Sequence, residues 1–174
     1  MVETSERIEG LKKPELDLLA DIDEFLSKYL PPEPDEEWSK TEPAKHEYLQ
    51  DVYPLIMAAL CLWRESRGES REGKEGVWAV IWNRLKSGKW GGNLVAVVTA
   101  TKQFSCFNRS DPQVTLYPSP TDNRWLECLD IVSKDPPDLL DGAMFYFNPI
   151  IVTPEWSKHM KLVKRIEHHD FYKG

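Results

Sequence analysis

The sequence predicts one mostly helical α+β domain with a small sheet near its carboxyl end. In several stretches, apolar residues recur every three or four positions, which is the period of an amphipathic helix. Two short stretches near the end of the chain, 143–148 and 161–167, are instead aromatic-rich or alternate in polarity, as strands do. The 174 residues are 41% hydrophobic and include 7 Trp, 6 Tyr and 6 Phe. This composition is sufficient for a single buried core.

An arm and a linker are predicted in front of this domain. Apolar residues within 14–30 form one helical stripe, so 1–30 are interpreted as an amphipathic helical arm. The stripe either packs on the same domain or docks on a partner, which includes a second copy of the chain. Residues 31–49 contain four prolines and an acidic run, a composition that favours extended backbone and predicts a linker. The main domain then covers 50–174.

The main domain begins with helices. The first is predicted at about 50–66, with Gly68 as its stop, and the second at about 71–87, ended by Gly88. The apolar stretch 94–100 is too short for its period to distinguish a helix from a strand.

A proline-rich loop at 111–120 separates these helices from the rest of the domain. A further helix follows at about 121–134, for which Thr121 is the predicted N-cap. Strands at 143–148 and 161–167 complete the predicted fold.

The charge distribution argues against a nucleic-acid-binding protein. The formal net charge is −7, but residues 1–50 carry 14 acidic and 6 basic side chains, whereas 51–174 carry 15 acidic and 16 basic ones. The main domain is therefore nearly neutral and lacks the Lys/Arg run that displaces counterions from phosphates.

The cysteines and the first residues limit the remaining classes. Three cysteines without a CxxC pair indicate neither a disulfide framework nor a zinc knuckle. The first residues lack the basic-then-apolar order of a secretory signal, and no apolar run approaches the ~18 residues that cross a bilayer. We therefore expect reduced thiols, no transmembrane segment, and synthesis in the cytoplasm without a signal peptide.

The stretch WRESRGES, at 63–70, holds the strongest candidates for acid–base chemistry. Glu65 lies near the end of the first predicted helix, beside apolar residues, and a partly desolvated carboxyl suits a general acid. Glu69 would share a helical face with Glu65 if the helix continued past Gly68. In the alternative interpretation, both glutamates form a surface charge cluster with the three neighbouring arginines, Arg64, Arg67 and Arg71.

Two further stretches combine polar groups with aromatic rings. QFSCFN, at 103–108, places Gln103 and Ser105 among phenylalanines in a predicted turn, which suits a sugar ligand or is an ordinary buried turn. We interpret Cys106 as a buried residue rather than a nucleophile, since no histidine is near it in sequence. In FYFNP, Tyr146 and Asn148 are predicted to line a groove, while the alternate phenylalanines face the core.

HHDFY, at 168–172, offers two histidines, which with His159 and a carboxylate would make a zinc site. Their spacing matches no HExxH motif, so a role in ordering a loop is the favoured interpretation.

Five motifs together carry a resemblance to a known family. They are LWRESRGES at 62–70, GVWAVIWNRL at 76–85, QFSCFN at 103–108, GAMFYFNP at 142–149 and HHDFY at 168–172. In order and spacing they resemble the SleB-like cell wall hydrolases, which include spore cortex-lytic enzymes and phage lysins. The resemblance covers about 50–173 and leaves the acidic arm outside.

The resemblance implies a lysozyme-like, lytic transglycosylase-like fold and an enzyme that cleaves the glycan strand of peptidoglycan between MurNAc and GlcNAc without a metal or other cofactor. The family's catalytic glutamate lies in an A-E-A-R-G-E type motif and falls on Glu65, with its flanking alanines replaced by Arg64 and Ser66. The second glutamate of the motif falls on Glu69.

The other family positions are carried over as substrate-binding candidates and fall on Ser105, Tyr146, Asn148 and His169. Gln103 joins this set from the composition of its turn. A glycine-asparagine pair usually precedes the family's histidine, but this chain has Glu167 and His168 there, which puts the local loop geometry in question.

The implied reaction needs one carboxyl group. Glu65 would protonate the glycosidic oxygen and then take a proton from the muramic 6-hydroxyl, which closes a 1,6-anhydro ring. Ordinary hydrolysis needs a second carboxylate, such as Glu69 or Asp111, ~5–5.5 Å or ~6.5–9.5 Å from the first.

Three alternatives stay open at this point: muramidase-type hydrolysis, a noncatalytic glycan-binding or virion structural protein, and a zinc hydrolase. A wall-acting enzyme without a signal peptide would be released through a phage holin or delivered in a virion, as an endolysin-type protein.

Overall fold

The computed structural model describes Glu24 and residues 42–174, with side chains for Glu24 and from Val52 onward. The predicted arm at 1–30 and most of the predicted linker lie outside these residues, apart from Glu24, which is helical. The chain divides into two compact units between His46 and Glu47. Apart from residues 42–46, the fold described below is that of the second unit.

Within 42–174, four α-helices precede a small sheet. The helices are α1 (Glu42–Ser66), α2 (Arg71–Ser87), α3 (Leu94–Thr99) and α4 (Asn123–Val132), and 3-10 turns span Ser105–Phe107, Pro112–Thr115 and Glu155–His159. The strands are β1 (Phe145–Phe147), β2 (Lys161–Ile166) and β3 (His169–Lys173), and they form an antiparallel sheet in the order β1-β3-β2. The predicted mostly helical α+β class with a small sheet is confirmed.

Helix α1 passes through the centre of the core. Nine consecutive residues, Ile56–Arg64, are buried, so this stretch is covered on every side. The helix begins at Glu42 rather than near residue 50. Residues 42–49, predicted to be part of an extended linker, are therefore helical, and that prediction is wrong for these eight residues. Pro43 falls in the first turn of the helix, where a missing N–H is tolerated.

Helix α2 matches its predicted bounds of 71–87. The Ser70 side chain accepts from Gly73 N–H and caps the helix, and Gly88 ends it with a left-handed φ of 66°. A Cβ at Gly76 would lie 2.7 Å from Phe171 Cζ. Glycine at this position therefore lets α2 approach the central strand β3 closely.

Two helix starts are set by neighbouring side chains. The short stretch 94–99 is a helix because Asn93 Oδ1 accepts from Ala96 N–H and caps it. Thr121 is not the cap of α4: Asp122 occupies that position and accepts from Arg124 N–H at 2.9 Å. A carboxylate caps as well as a hydroxyl does, so adjacent residues compete for this role.

The sheet has one strand more than predicted, because 169–173 pair with both neighbours. On β3, Asp170 is buried and lies opposite Arg165 of β2, whose guanidinium Nη2 donates to Asp170 Oδ2 at 2.6 Å. After β1, Ile150 and Ile151 are each about 80% exposed. No helix in the described ranges is both long and apolar enough for a membrane span.

Candidate active site

Glu65 lies in the last turn of α1, directly after the buried stretch, and is half-buried. Its Oε1 accepts from the Cys106 backbone N–H at 3.1 Å, and its Oε2 accepts from the Tyr146 hydroxyl at 3.2 Å. The carboxyl is thus oriented by two neutral donors from distant parts of the chain.

The neighbouring arginines are engaged elsewhere. Arg64 is buried and donates to backbone carbonyls of residues 106–116. Arg67 donates to the Gln113 side chain and lies over the Trp63 ring, and Arg71 pairs with two other carboxylates. The alternative of a surface charge cluster around Glu65 is therefore wrong.

Tyr146 projects from β1 with its ring in an aromatic environment. The ring meets His169 edge-on, with centroids 5.0 Å apart, and lies 5.7 Å from Phe171. Burial, and then the nearby Glu65 carboxylate, raise the pKa of Tyr146 well above its usual value. The hydroxyl therefore stays protonated at neutral pH and donates a hydrogen bond to Glu65.

His169 is the first residue of β3 and is buried against Tyr146. Burial lowers the pKa of His169, so the imidazole is neutral at pH 7. Within the described residues, its Nδ1 has no hydrogen-bond partner. A buried ring nitrogen without a partner is costly, and its burial keeps this atom out of reach of a ligand in this conformation.

Glu69 does not share a helical face with Glu65, because α1 ends at Ser66. Its carboxylate oxygens lie 3.1 and 3.2 Å from His168 Nδ1. Beside this contact, Glu167 has a left-handed φ of 48° and its Oε2 accepts from Ser70 N–H at 2.7 Å. The Glu167-His168 pair thus binds the β2–β3 turn to the α1–α2 turn.

The other residues predicted to contact substrate form hydrogen bonds with groups other than Glu65. Ser105 is exposed and donates to Asp111 Oδ2 at 2.7 Å. Asn148 Oδ1 accepts from Ile150 N–H at 2.9 Å and so stabilises the turn after β1. The Gln103 carbonyl accepts from buried Arg84, at 3.5 Å. The hydrogen bonds described for Glu65 involve none of these residues, and their assignment to substrate binding stays a prediction.

Cys106 is buried, as expected, and its thiol and that of Cys61 influence each other's pKa. The main contribution of Cys106 to the site is the backbone N–H that donates to Glu65, which was not predicted from the sequence. A backbone amide has no signature in residue types or spacing. Among the residues described, no three His, Cys, Asp or Glu side chains converge as a metal site would require.

Comparisons with known proteins agree with this architecture. The family model described as Cell Wall Hydrolase matches residues 68–172. The spore cortex-lytic enzymes of Halalkalibacterium halodurans and Bacillus subtilis are 33% and 30% identical over 117 residues, which is 67% of this chain and 34% and 36% of those proteins. The chain thus spans about a third of the length of these relatives.

Two solved structures resemble the fold. The catalytic domain of the germination-specific lytic transglycosylase SleB from Bacillus anthracis is 31% identical, with a TM-score of 0.56, over 69% of this chain and 93% of that domain. The catalytic domain of the Bacillus cereus SleB protein is 30% identical, with the same TM-score, over 69% of this chain and 89% of that one. The lysozyme-like fold expected from the resemblance is confirmed.

Glu65 stands three residues before the family-model match, whereas Glu69 and the other candidate contacts lie inside it. The match covers more than half of the 174 residues and includes the sheet and α2 to α4. The chain therefore belongs to the cell wall hydrolase family.

Proposed function

We propose that this chain cleaves the MurNAc–GlcNAc bond of peptidoglycan as a lytic transglycosylase, with Glu65 as its acid and base. The observation that carries the proposal is the setting of Glu65. Its half-buried carboxyl is held by the Cys106 N–H and the Tyr146 hydroxyl. The similarity to the catalytic domain of a lytic transglycosylase supports the same assignment.

The two donors suit a carboxyl that changes its protonation state during the reaction. Protonated Glu65 gives its proton to the glycosidic oxygen, and the bond to the muramic C1 breaks with oxocarbenium character. The resulting carboxylate accepts more strongly from both donors. It then removes the proton of the 6-hydroxyl, whose oxygen bonds to C1 and closes the 1,6-anhydro ring.

The surroundings of the other acidic groups favour this single-carboxyl scheme over hydrolysis. The Glu69 carboxylate is hydrogen-bonded to His168 Nδ1. The Asp111 carboxylate accepts hydrogen bonds from the Ser105 hydroxyl and the Gln113 N–H. The proposed glycan contacts are Glu69, Gln103, Ser105, Asn148, His169 and Tyr146, the last through its ring, since its hydroxyl donates to Glu65. Of these, His169 lies next to the site, because its ring packs edge-on against Tyr146, the partner of Glu65, with centroids 5.0 Å apart.

Digestion of purified sacculi, followed by mass spectrometry of the fragments, tests the proposal. Fragments that lack one water and bear anhydro ends are expected from the wild-type chain, and none from Glu65→Gln. The matched control is Glu75→Gln on the surface of α2, where Glu75 pairs with Arg71. This control should retain full activity.

The other outcomes of this experiment discriminate the alternatives. Ordinary reducing ends would instead indicate muramidase hydrolysis. Glycan binding without any turnover would indicate a noncatalytic or virion structural protein. Retained activity in Glu65→Gln would remove Glu65 from its assigned role.

We further propose that the protein is made in the cytoplasm and acts on the wall after release, through a phage holin or within a virion. Fractionation of host cells before lysis tests this route, since wall-bound protein before holin action contradicts holin release. Docking or self-association through the arm at 1–30 stays a prediction.

A further inference from the structure

The two backbone polar groups of Cys106 are held by consecutive residues of α1. Its N–H donates to Glu65 Oε1 at 3.1 Å, and its carbonyl accepts from Arg64 Nη1 at 3.2 Å. The residue before the proposed catalytic glutamate thus contacts the same loop residue that orients that glutamate.

Arg64 binds the loop at three places. Besides Cys106, its Nε donates to the Leu116 carbonyl at 3.1 Å and its Nη2 to the Val114 carbonyl at 2.8 Å. The guanidinium lies 5.2 Å from the Phe107 ring centroid and 5.0 Å from that of Tyr117. One planar group therefore fixes both ends of the 106–116 loop.

Such an arrangement is demanding for a charged side chain. Arg64 is only 2% exposed, and its three hydrogen bonds are all to backbone carbonyls. Burial of a charge is costly unless its donors are satisfied in fixed geometry. The planar guanidinium holds its N–H donors in such a fixed geometry, whereas a lysine ammonium is a point charge on a flexible side chain.

We propose that Arg64 is a positioning residue for the reaction: it holds the 106–116 loop so that the Cys106 N–H points at Glu65. This inference rests on the proposed function, because it gives Arg64 a role through Glu65. Arg64 acts on the group that performs the chemistry, so its loss lowers kcat far more than it raises KM.

The test uses Arg64→Ala and Arg64→Lys in the full chain, assayed on soluble, uncrosslinked glycan strands. We expect kcat of Arg64→Ala to fall at least about tenfold, which is the effect of one hydrogen bond to a charged group, with KM within about twofold. Added guanidinium ion should restore part of kcat in this variant. Lysine should rescue only partly, because it cannot reach all three carbonyls at once.

A second readout does not need activity. Hydrogen exchange at the Cys106 amide, followed by NMR, should be at least about tenfold faster in both variants if Arg64 fixes this amide on Glu65. The control for general loss of stability is Ile131→Ala, a buried position on α4. It should lower Tm without a selective change at Cys106 or in kcat.

Unchanged kcat in Arg64→Ala, unchanged exchange at Cys106, or an equal effect of Ile131→Ala would overturn the proposal. If Arg64→Ala does not fold, Arg64→Lys and its amide exchange decide. An inactive wild-type chain would defeat the proposed function, while the exchange measurement would still show whether Arg64 orients the Cys106 N–H.

Discussion

Replacing Tyr146 by phenylalanine removes one hydroxyl from the candidate site and keeps the ring between His169 and Phe171. The contact that is lost is the hydrogen bond of 3.2 Å to Glu65 Oε2. Negative charge develops on Glu65 as its proton moves to the glycosidic oxygen, so this bond strengthens in the transition state. The variant should therefore lose kcat rather than substrate affinity.

The size of the effect follows from the geometry. A hydrogen bond to a charged group contributes about 1.5–3 kcal/mol, and 3.2 Å is long for an O–H···O contact. The lower value applies here and corresponds to about a tenfold loss of kcat, since 1.4 kcal/mol is a factor of ten. The free energy of unfolding should change by about 1 kcal/mol or less, because half-buried Glu65 can accept from water instead.

Release of anhydro-muropeptides from soluble glycan strands gives kcat and KM, and thermal unfolding gives the stability. The matched control is Tyr172→Phe on β3, where Tyr172 stacks on Phe147 at 5.4 Å and is not a hydrogen-bond donor to Glu65. Activity of Tyr146→Phe within twofold of wild type would contradict this role of the hydroxyl. A raised KM with unchanged kcat would refute it too, because the hydroxyl would then serve the glycan and not Glu65.

Three further predictions concern buried groups. Burial raises the pKa of Cys61 well above its usual value and that of Cys128 to about 12; in Cys106 the hydrogen bond from Cys61 lowers the pKa, but burial and Glu65 outweigh it. Iodoacetamide at pH 8 should therefore modify none of the three in the folded protein and all of them in urea, and rapid native labelling would contradict this burial. Burial lowers the pKa of His169 below its usual value of about 6.5, so as pH falls the unfolded chain protonates this imidazole before the folded chain does and the folded state loses stability. His169→Gln should therefore reduce the dependence of Tm on pH between pH 7 and 5. Parallel Tm curves for the variant and the wild type would exclude a contribution of His169. The hydrogen bond from Arg165 of β2 lowers the pKa of Asp170, so the pair stabilises the fold above about pH 4 and this stability is lost as pH falls through the lower folded-state pKa. Asp170→Asn should cost about 1–3 kcal/mol of unfolding free energy at pH 7 and much less near pH 2 in denaturant titrations. An equal cost at both pH values would argue against the ion pair.

Local chemistry explains which elements could be predicted from sequence. Helix α2 matches its predicted bounds because Ser70 and Gly88 are strong, unambiguous end signals. The start of α1 was not predictable from composition, since a proline in a first helical turn and one in an extended linker look alike. Strand β3 was missed because four of its five residues, His169–Lys173, are ionisable, which obscures the apolar alternation typical of a strand.

The candidate site was predictable only in part. Glu65 is indicated by its place at the end of an apolar helix, and Tyr146 by its alternation with the phenylalanines of β1. The Cys106 N–H and the carbonyls bound by Arg64 are backbone groups whose direction depends on the tertiary fold. Residue types and spacing contain no record of them, so the partners of Glu65 and of Arg64 required the structure.

The burial of α1 over nine residues limits how this protein can change length during evolution or engineering. One residue inserted between Ile56 and Arg64 would rotate Glu65 by about 100° and shift it by about 1.5 Å along the axis. Both donors to Glu65 would then be out of reach, although every neighbouring side chain were kept. Substitution of Gly68 should instead be accepted, because an added Cβ there meets no atom within 4 Å. Just after Glu65 the chain can therefore vary in side chain, whereas the length of α1 before Glu65 is fixed.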